Sequence, residues 1–377
     1  MALSVSSEFD GGNIIFLDES DPGDVRLAIR KDNYSGFYQW FYFRLCGGRG
    51  AECRLRIVNA GAAAYPEGWR DYRAVASYDR RRWFRVETEY DGAGLTIRHR
   101  LERDSVWYAY FAPYSMERHA DFIAETLASP RVAAAVLGRT LDGQDLDLLR
   151  VGDDGPGKRV CWVIARQHPG ETMAEWWMEG FLRRLLDETD KTARALLERC
   201  TFRVVPNMNP DGSRRGHLRT NAAGANLNRE WQAPTFERSP EVALVRAEME
   251  RTRVDFCLDV HGDEVLPYVF LAGAEGIPSW SERLAGLDGD FRAALLSASP
   301  DYQTEQGYPR NGVGTANLTM CTNWVAERFN CLALTLEQPF KDNANAPDPE
   351  AGWSLERSRR LGAACLPAIA AVADRLR

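Results

Sequence analysis

Glutamate follows histidine by three residues at three places in this chain, His99/Glu102, His168/Glu171 and His261/Glu264, and the chain holds only five histidines from which such pairs could be drawn. An imidazole and a carboxylate at that spacing can share a cation where the backbone turns both toward one point. His99 lies in Leu95-Thr-Ile-Arg-His-Arg-Leu101, an alternating run that reads as a strand. Residues three apart on a strand face opposite ways, so that pair does not meet. His119 and His217 have no acid three residues on. His168 is placed differently. It follows the apolar run Val160-Cys-Trp-Val-Ile-Ala165 and precedes an amphipathic run over 173–186, with Pro169-Gly170 enforcing a turn between them. In open α/β sheets, ligands bind at the carboxyl ends of strands. His261 closes another apolar run, Asp255-Phe-Cys-Leu-Asp-Val260. Two strand ends of one sheet can bring His168, Glu171 and His261 together. Two imidazoles and one carboxylate with an open position form the donor set of catalytic zinc. Glu264 stands as a rival source of the carboxylate, weighted below Glu171.

Those turns need elements to hold them. Up to about residue 115 the chain reads as β. Gln39-Trp-Phe-Tyr-Phe-Arg-Leu45, Arg54-Leu-Arg-Ile-Val58, Trp83-Phe-Arg-Val-Glu-Thr-Glu-Tyr90, the run over 95–101 and Val106-Trp-Tyr-Ala-Tyr-Phe111 are short, aromatic or β-branched, and parted by Gly47-Gly48, Asp91-Gly92 and Asp104-Ser105. Regular short strands without helices predict an all-β sandwich over 1–115. Beyond Pro113-Tyr114-Ser115 the patterns alternate. Strands are expected near 133–137, 145–151, 160–165, 201–205, 254–260 and 331–336. Helices are expected near 117–127, 173–186, 240–251 and 354–377, with a long polar loop over 207–237. This alternation predicts an α/β unit over 116–377 with a mixed, largely parallel sheet flanked by helices.

The 377 residues are 45% hydrophobic with a formal net charge of −7. That supplies a sizeable core and no basic excess to draw nucleic acid or an anionic membrane. The N-terminus lacks the basic start and apolar stretch of a secretory signal, and no run reaches the roughly 18 apolar residues of a membrane span. The eight cysteines are scattered without a C-x-x-C pair, several of them in apolar runs. Free thiols in a reducing, cytoplasmic setting fit that pattern better than a disulfide scaffold or a thiolate metal site.

A hydrolytic metal site needs a base and a cation beside it. Glu337 ends the apolar run Leu332-Ala-Leu-Thr-Leu336, where a carboxylate is either solvated or at work. The loop Asn207-Met-Asn-Pro-Asp-Gly212 … His217-Leu-Arg219 … Asn226-Leu-Asn-Arg229-Glu-Trp231 offers donors suited to a carboxylate, although a solvated, turn-rich loop explains the same composition. The order His-Pro-Gly-Glu, Asn-Pro-Asp-Gly, Arg219, Leu-Asn-Arg-Glu-Trp, Asp-Val-His-Gly and a glutamate on the last catalytic strand resembles the zinc metallocarboxypeptidases of the carboxypeptidase A superfamily. Phe9-Asp10-Gly-Gly-Asn13, Gln39-Trp-Phe-Tyr-Phe-Arg44 and Tyr108-Ala-Tyr-Phe-Ala-Pro113 are similar to the first half of the cytosolic carboxypeptidase subfamily, which carries a β-sandwich ahead of its catalytic domain. The resemblance implies His168, Glu171 and His261 as zinc ligands. It implies Glu337 as the base that activates water and then the acid that protonates the leaving amine. Arg219 would polarise the scissile carbonyl, and Asn228 with Arg229 would grip the terminal carboxylate of a peptide.

There are departures from the family pattern. Asn226 stands where the superfamily has an aspartate behind a zinc histidine; an amide accepts an imidazole N–H but brings no charge. Counting back from Glu337 puts the mobile tyrosine near Thr315, with Tyr308 the nearest tyrosine. The specificity segment Asn311-Gly-Val-Gly-Thr-Ala-Asn317 … Thr322-Asn-Trp324 holds no acid, against a preference for Lys or Arg, and Arg310 is a basic candidate beside it. The expectation is a soluble, cytoplasmic zinc carboxypeptidase acting on the C-terminal peptide, or isopeptide-type glutamyl, bond of a peptide or protein. The alternatives are a zinc amidohydrolase acting on a cell-wall peptide or an N-acyl amino acid, and an inactive zinc-binding adaptor.

Overall fold

The computed structural model describes residues 3–18, 22–310 and 312–376. Ten short strands come first: β1 (Ser4–Ser6), β2 (Ile15–Asp18), β3 (Val25–Ala28), β4 (Tyr42–Cys46), β5 (Glu52–Ile57), β6 (Val75–Ser77), β7 (Phe84–Arg85), β8 (Glu87–Tyr90), β9 (Leu95–Arg100) and β10 (Ser105–Ala109). They form two five-stranded sheets, ordered β1-β4-β10-β6-β7 and β2-β3-β5-β9-β8. Period-2 alternation drives this: in β5, Cys53, Leu55 and Ile57 are buried while Arg54 and Arg56 are half-exposed. Across the β4/β10 pair, Tyr108 sits opposite Phe43 and their rings stack at 5.3 Å. The run Trp83–Tyr90 reads as one strand in sequence but is two, in different sheets. Arg85 turns the corner because its guanidinium leaves the sandwich, donating to the Phe340 and Trp353 carbonyls at 2.8 and 2.9 Å.

The α/β unit follows: α1 (Met116–Leu127), β11 (Val132–Arg139), β12 (Asp145–Val151), β13 (Arg159–Ala165), α2 (Met173–Leu185), α3 (Lys191–Arg199), β14 (Cys200–Val205), α4 (Pro210–Arg215), α5 (Pro240–Thr252), β15 (Phe256–Val260), β16 (Phe270–Ala272), α6 (Glu282–Ala298), α7 (Cys321–Phe329), β17 (Leu332–Glu337) and α8 (Leu355–Val372). The sheet runs β11-β12-β14-β13-β15-β17-β16. Its four central strands are parallel and its margins antiparallel, the mixed sheet expected. Parallel strands must be covered on both faces. Cys161, Val163 and Ala165 pack toward α2, α6 and α8 in a core that continues into the sandwich. Trp162 and Ile164 pack on the opposite face toward α5 and α7.

The run after His168 was expected to be amphipathic, but α2 is buried on nearly every side. Two glycines allow this. A Cβ on Gly180 would lie 1.9 Å from the Arg359 carbonyl, and one on Gly362 would lie 2.1 Å from the Trp177 carbonyl, so α2 and α8 meet backbone to backbone. In the α/β unit, sequence patterning misses α3, α6, α7 and β16, and takes α4 for part of the polar loop. Gly286 and Gly289 sit inside α6, where each costs about 1 kcal/mol against alanine.

The charges that α2 buries find partners from elsewhere. Glu175 accepts from His119 Nδ1 at 2.8 Å and pairs with Arg166, while His119 Nε2 reaches Asp147 at 3.3 Å. Burial alone would push the His119 imidazole down, but the two carboxylates raise it to about 9. The folded state therefore holds this proton more tightly than the unfolded chain. The stabilisation is full below pH about 6.5 and is lost as pH rises through about 9. Urea unfolding should show a loss of roughly 3 kcal/mol across that window, absent in His119→Asn; an unchanged slope in the variant would refute the assignment.

Candidate active site

β13, β15 and β17 lie side by side in parallel, with Ala165 opposite Val260 and Val260 opposite Leu336. Each strand delivers a residue to the same edge: His168 just beyond β13, His261 directly after β15, and Glu337 as the last residue of β17. The turn from β13 into α2 starts at Arg166, whose backbone is left-handed at φ 59°. Its side chain holds the turn down, with Nε donating to the Pro169 carbonyl at 3.0 Å and Nη1 to the Tyr114 carbonyl at 2.8 Å. Gly170 N donates to the Leu218 carbonyl at 2.9 Å, and a Cβ on Gly170 would fall 2.9 Å from that same oxygen. Only glycine lets the histidine turn sit this close to the segment carrying Arg219.

The result is a closed triad. Glu171 lies between the two imidazoles, with Oε1 2.6 Å from His168 Nδ1 and Oε2 2.8 Å from His261 Nδ1. All three side chains are buried, and one donor atom from each lies within 4.8 Å of the others. The outward nitrogens decide what this cluster is for. His168 Nε2 lies 3.0 Å from Asn226 Oδ1, and that atom must be the oxygen because Asn228 N also donates to it at 3.1 Å. His261 Nε2 lies 2.9 Å from Asp259 Oδ2. Acceptors on both outer nitrogens place the ring protons there, which turns both Nδ1 lone pairs toward an anionic carboxylate. A cation resolves that arrangement, and outer acceptors of this kind orient histidine ligands. Burial would lower the His261 imidazole, yet Asp259 and Glu171 hold it well above its ordinary pKa, which marks negative charge gathered at this point that either a proton or a metal cation offsets. Burial and Arg219 hold His168 down at about 4, in its ligating neutral form.

The other expected residues surround this triad. Glu337 is buried; its Oε2 has no hydrogen-bond partner and its Oε1 lies 3.3 Å from the Tyr308 hydroxyl, whose single proton goes to the nearer Asp263 Oδ2 at 2.6 Å. Burial pushes the Glu337 carboxyl up to about 8. Tyr308 thus takes the place beside Glu337, whereas Thr315 is spent in an exposed turn bonded to the Gly312 carbonyl. Arg219 is half-buried, and its charge acts on His168, Glu171 and Glu264. Glu264, the rival carboxylate, is outside the triad; burial and the Glu171 charge hold it well above the usual carboxylate range. Asn228 accepts from Cys321 N at 2.8 Å, and Arg229 Nη1 donates to the Asn228 carbonyl at 2.7 Å. The Asn-rich loop is more than a solvated turn: Asn209 caps α4, accepting from Gly212 N at 3.0 Å.

Two features escaped sequence reasoning. Asp259 is the only charged residue inside β15, two residues before His261 and so on the same face, a signal that was available. Glu275 was not legible. A cavity of about 420 Å³ is bounded by Tyr308, Thr322, Asn323 and Thr335 and also by Glu275, Arg292 and Arg310. The segment expected to set specificity holds no acid, yet Glu275 enters from beyond β16, 3.7 Å from Arg292 and 3.8 Å from Arg310. Asn311 lies outside the described residues.

Fold and triad together define a peptidase of the metallohydrolase kind: a mixed α/β sheet with a buried His-Glu-His cluster at its strand ends, behind a β-sandwich. Residues 120–352 match the family described as zinc carboxypeptidase, and residues 5–111 match the cytosolic carboxypeptidase N-terminal domain. The chain belongs to the zinc carboxypeptidase family. A metallo-carboxypeptidase structure from Burkholderia cenocepacia is 51% identical with a TM-score of 0.97, covering 99% of this chain and 100% of that one. One from Pseudomonas aeruginosa, in complex with (2-guanidinoethylmercapto)succinic acid, is 47% identical with a TM-score of 0.97 and the same coverage. Cytosolic carboxypeptidase 2 of Danio rerio is 31% identical over 72% of this chain, and the match spans 42% of that relative's length. Among the described residues no helix is long and apolar enough to cross a membrane.

Proposed function

We propose that the protein is a zinc-dependent carboxypeptidase that hydrolyses the C-terminal peptide, or isopeptide-type glutamyl, bond of a peptide or protein. In this reading the sandwich ends near residue 115 and the catalytic domain spans 116–377. The observation that carries it is the triad: two inward Nδ1 atoms on one carboxylate, both outer nitrogens capped. His168, Glu171 and His261 would hold zinc, which supplies Lewis-acid polarisation of a carbonyl and a lowered pKa for water. The chain's own residues supply the rest. Glu337, through its unpartnered Oε2, takes the proton from the attacking water and returns it to the leaving amine nitrogen. The Tyr308 hydroxyl stands beside that carboxylate at Oε1, held there by its bond to Asp263. The Arg219 guanidinium donates to the carbonyl oxygen as it gains negative charge. Asn228 and Arg229 fix the terminal carboxylate. The dicarboxylic acid in the Pseudomonas relative supports a site that receives one.

A chelator and add-back experiment tests the reading. A peptide with a free C-terminus should lose its last residue; dialysis against chelator should abolish turnover, and about one equivalent of zinc per chain should restore it. Turnover that survives complete metal removal would end the zinc reading. Stoichiometric zinc without turnover on a broad peptide library would favour the adaptor alternative.

A further inference from the structure

The mechanism above makes no use of the sandwich, yet its sequence motifs converge on one turn of the α/β unit. Asp32 lies between β3 and β4 and is 3% exposed. Its Oδ1 accepts from Leu218 N at 2.7 Å. Its Oδ2 accepts from Arg219 N at 2.8 Å, Thr220 N at 2.9 Å and Thr220 Oγ1 at 3.1 Å. Three successive peptide N–H groups on one carboxylate are charge-assisted bonds that fix the backbone on both sides of Arg219. Asp32 N also donates to the Phe37 carbonyl at 2.9 Å, so the carboxylate and the Phe37 ring are the two ends of one closed loop.

The guanidinium is held from the same side. Arg219 Cζ lies 5.5 Å from the centroid of Phe37 and 5.5 Å from that of Tyr65, both sandwich residues. Aromatic faces on a guanidinium restrict where it points without using its N–H donors. Tyr65 is itself pinned by Gln39, buried at the head of the Gln39-Trp-Phe motif: Oε1 accepts from Tyr65 N at 2.8 Å, and Nε2 donates to the Tyr65 carbonyl at 3.0 Å. The Phe9-Asp-Gly-Gly-Asn motif holds the C-terminal end of α4, just ahead of the same turn. Gly11 N donates to the Arg214 carbonyl at 2.9 Å, and Asn13 Nδ2 to the Gly216 carbonyl at 2.8 Å.

We propose that Asp32 is a positioning residue of the active site, and that the sandwich sets the direction of the Arg219 guanidinium through Asp32, Phe37 and Tyr65. The inference rests on the proposed role of Arg219. A mere interdomain anchor has no need to box a charged side chain that must aim at a developing oxyanion. Misplacing such a group by about 1 Å can cost on the order of 10²-fold in rate.

A double-mutant cycle tests this, read as kcat and KM on a peptide with a free C-terminus, with zinc content measured in parallel. Arg219→Ala should lower kcat by about 10²–10³-fold. Asp32→Asn in the wild-type background should lower kcat roughly tenfold, with KM within about twofold and zinc content unchanged. In the Arg219→Ala background the same change should alter kcat by less than about twofold, because the group it positions is gone. Equal losses in both backgrounds would show a structural role and overturn the proposal. If Asp32→Asn does not fold, Tyr65→Leu carries the same cycle, since it leaves every Asp32 bond in place. Wild-type kcat in Arg219→Ala would overturn the assigned role of Arg219, a result separable from additivity in the cycle.

Discussion

Replacing Glu337 by glutamine should lower kcat by on the order of 10³–10⁴-fold while leaving KM within a few-fold and the zinc content unchanged. Glutamine keeps the shape of the side chain beside the Tyr308 hydroxyl, now 3.3 Å from Oε1. What it removes is the ability of Oε2 to take a proton. That oxygen is buried and has no hydrogen-bond partner, so it is free to take the proton. Glu337 is outside the triad, so metal binding should survive and a loss of kcat can be read as a loss of chemistry. Steady-state kinetics with metal analysis on the same sample checks this. A variant within tenfold of wild type would remove Glu337 from the proton transfers. A variant that has lost its metal would instead make it part of the ligand set.

What the sequence disclosed follows from which interactions are local. The histidine turn was readable because its cause is local: an apolar strand, Pro169-Gly170 and then helix. The copy at His99 was excluded by strand period alone; its ring packs in the sandwich, 2.8 Å from the Tyr108 hydroxyl. The triad needed one non-local step, that two apolar strands are neighbours, and β13 and β15 pair in parallel. Where a residue's job is set by a distant partner, the sequence is silent. Asp32 looks like any loop acid, and its meaning comes from three peptide groups 186 to 188 residues away. Glu275 follows an Ala-Gly-Ala stretch with no periodicity to place it, and Arg292 from α6 brings it into the cavity. The corner at Arg85 was invisible for the same reason, because its cause is a pair of carbonyls more than 250 residues on.

Blocking the substrate's C-terminus should be nearly as damaging as removing the base. Arg229 and Arg219 are near enough that each feels the other: burial and the Arg219 charge both lower the Arg229 guanidinium from its ordinary pKa. Arg229 is exposed in the free protein, so a substrate that covers it strips water from two like charges, which costs free energy unless an anion comes between them or beside them. A free terminal carboxylate supplies that anion, and the forked guanidinium can accept it through two parallel bonds. A C-terminal amide supplies none, so the repulsion persists and Arg229 loses its partner. A site built for a group that the analogue lacks discriminates on the order of 10⁴-fold in kcat/KM, and amidated peptides should fall behind free ones by that order. In Arg229→Ala the free peptide should lose most of its advantage, and the two substrates should come within about tenfold of each other, because neither then meets an unpaired charge. The same pair of substrates separates the functional alternatives. Equal turnover of free and amidated peptides by the wild type would rule out exopeptidase action and transfer the site to an amidohydrolase that reads only the scissile bond.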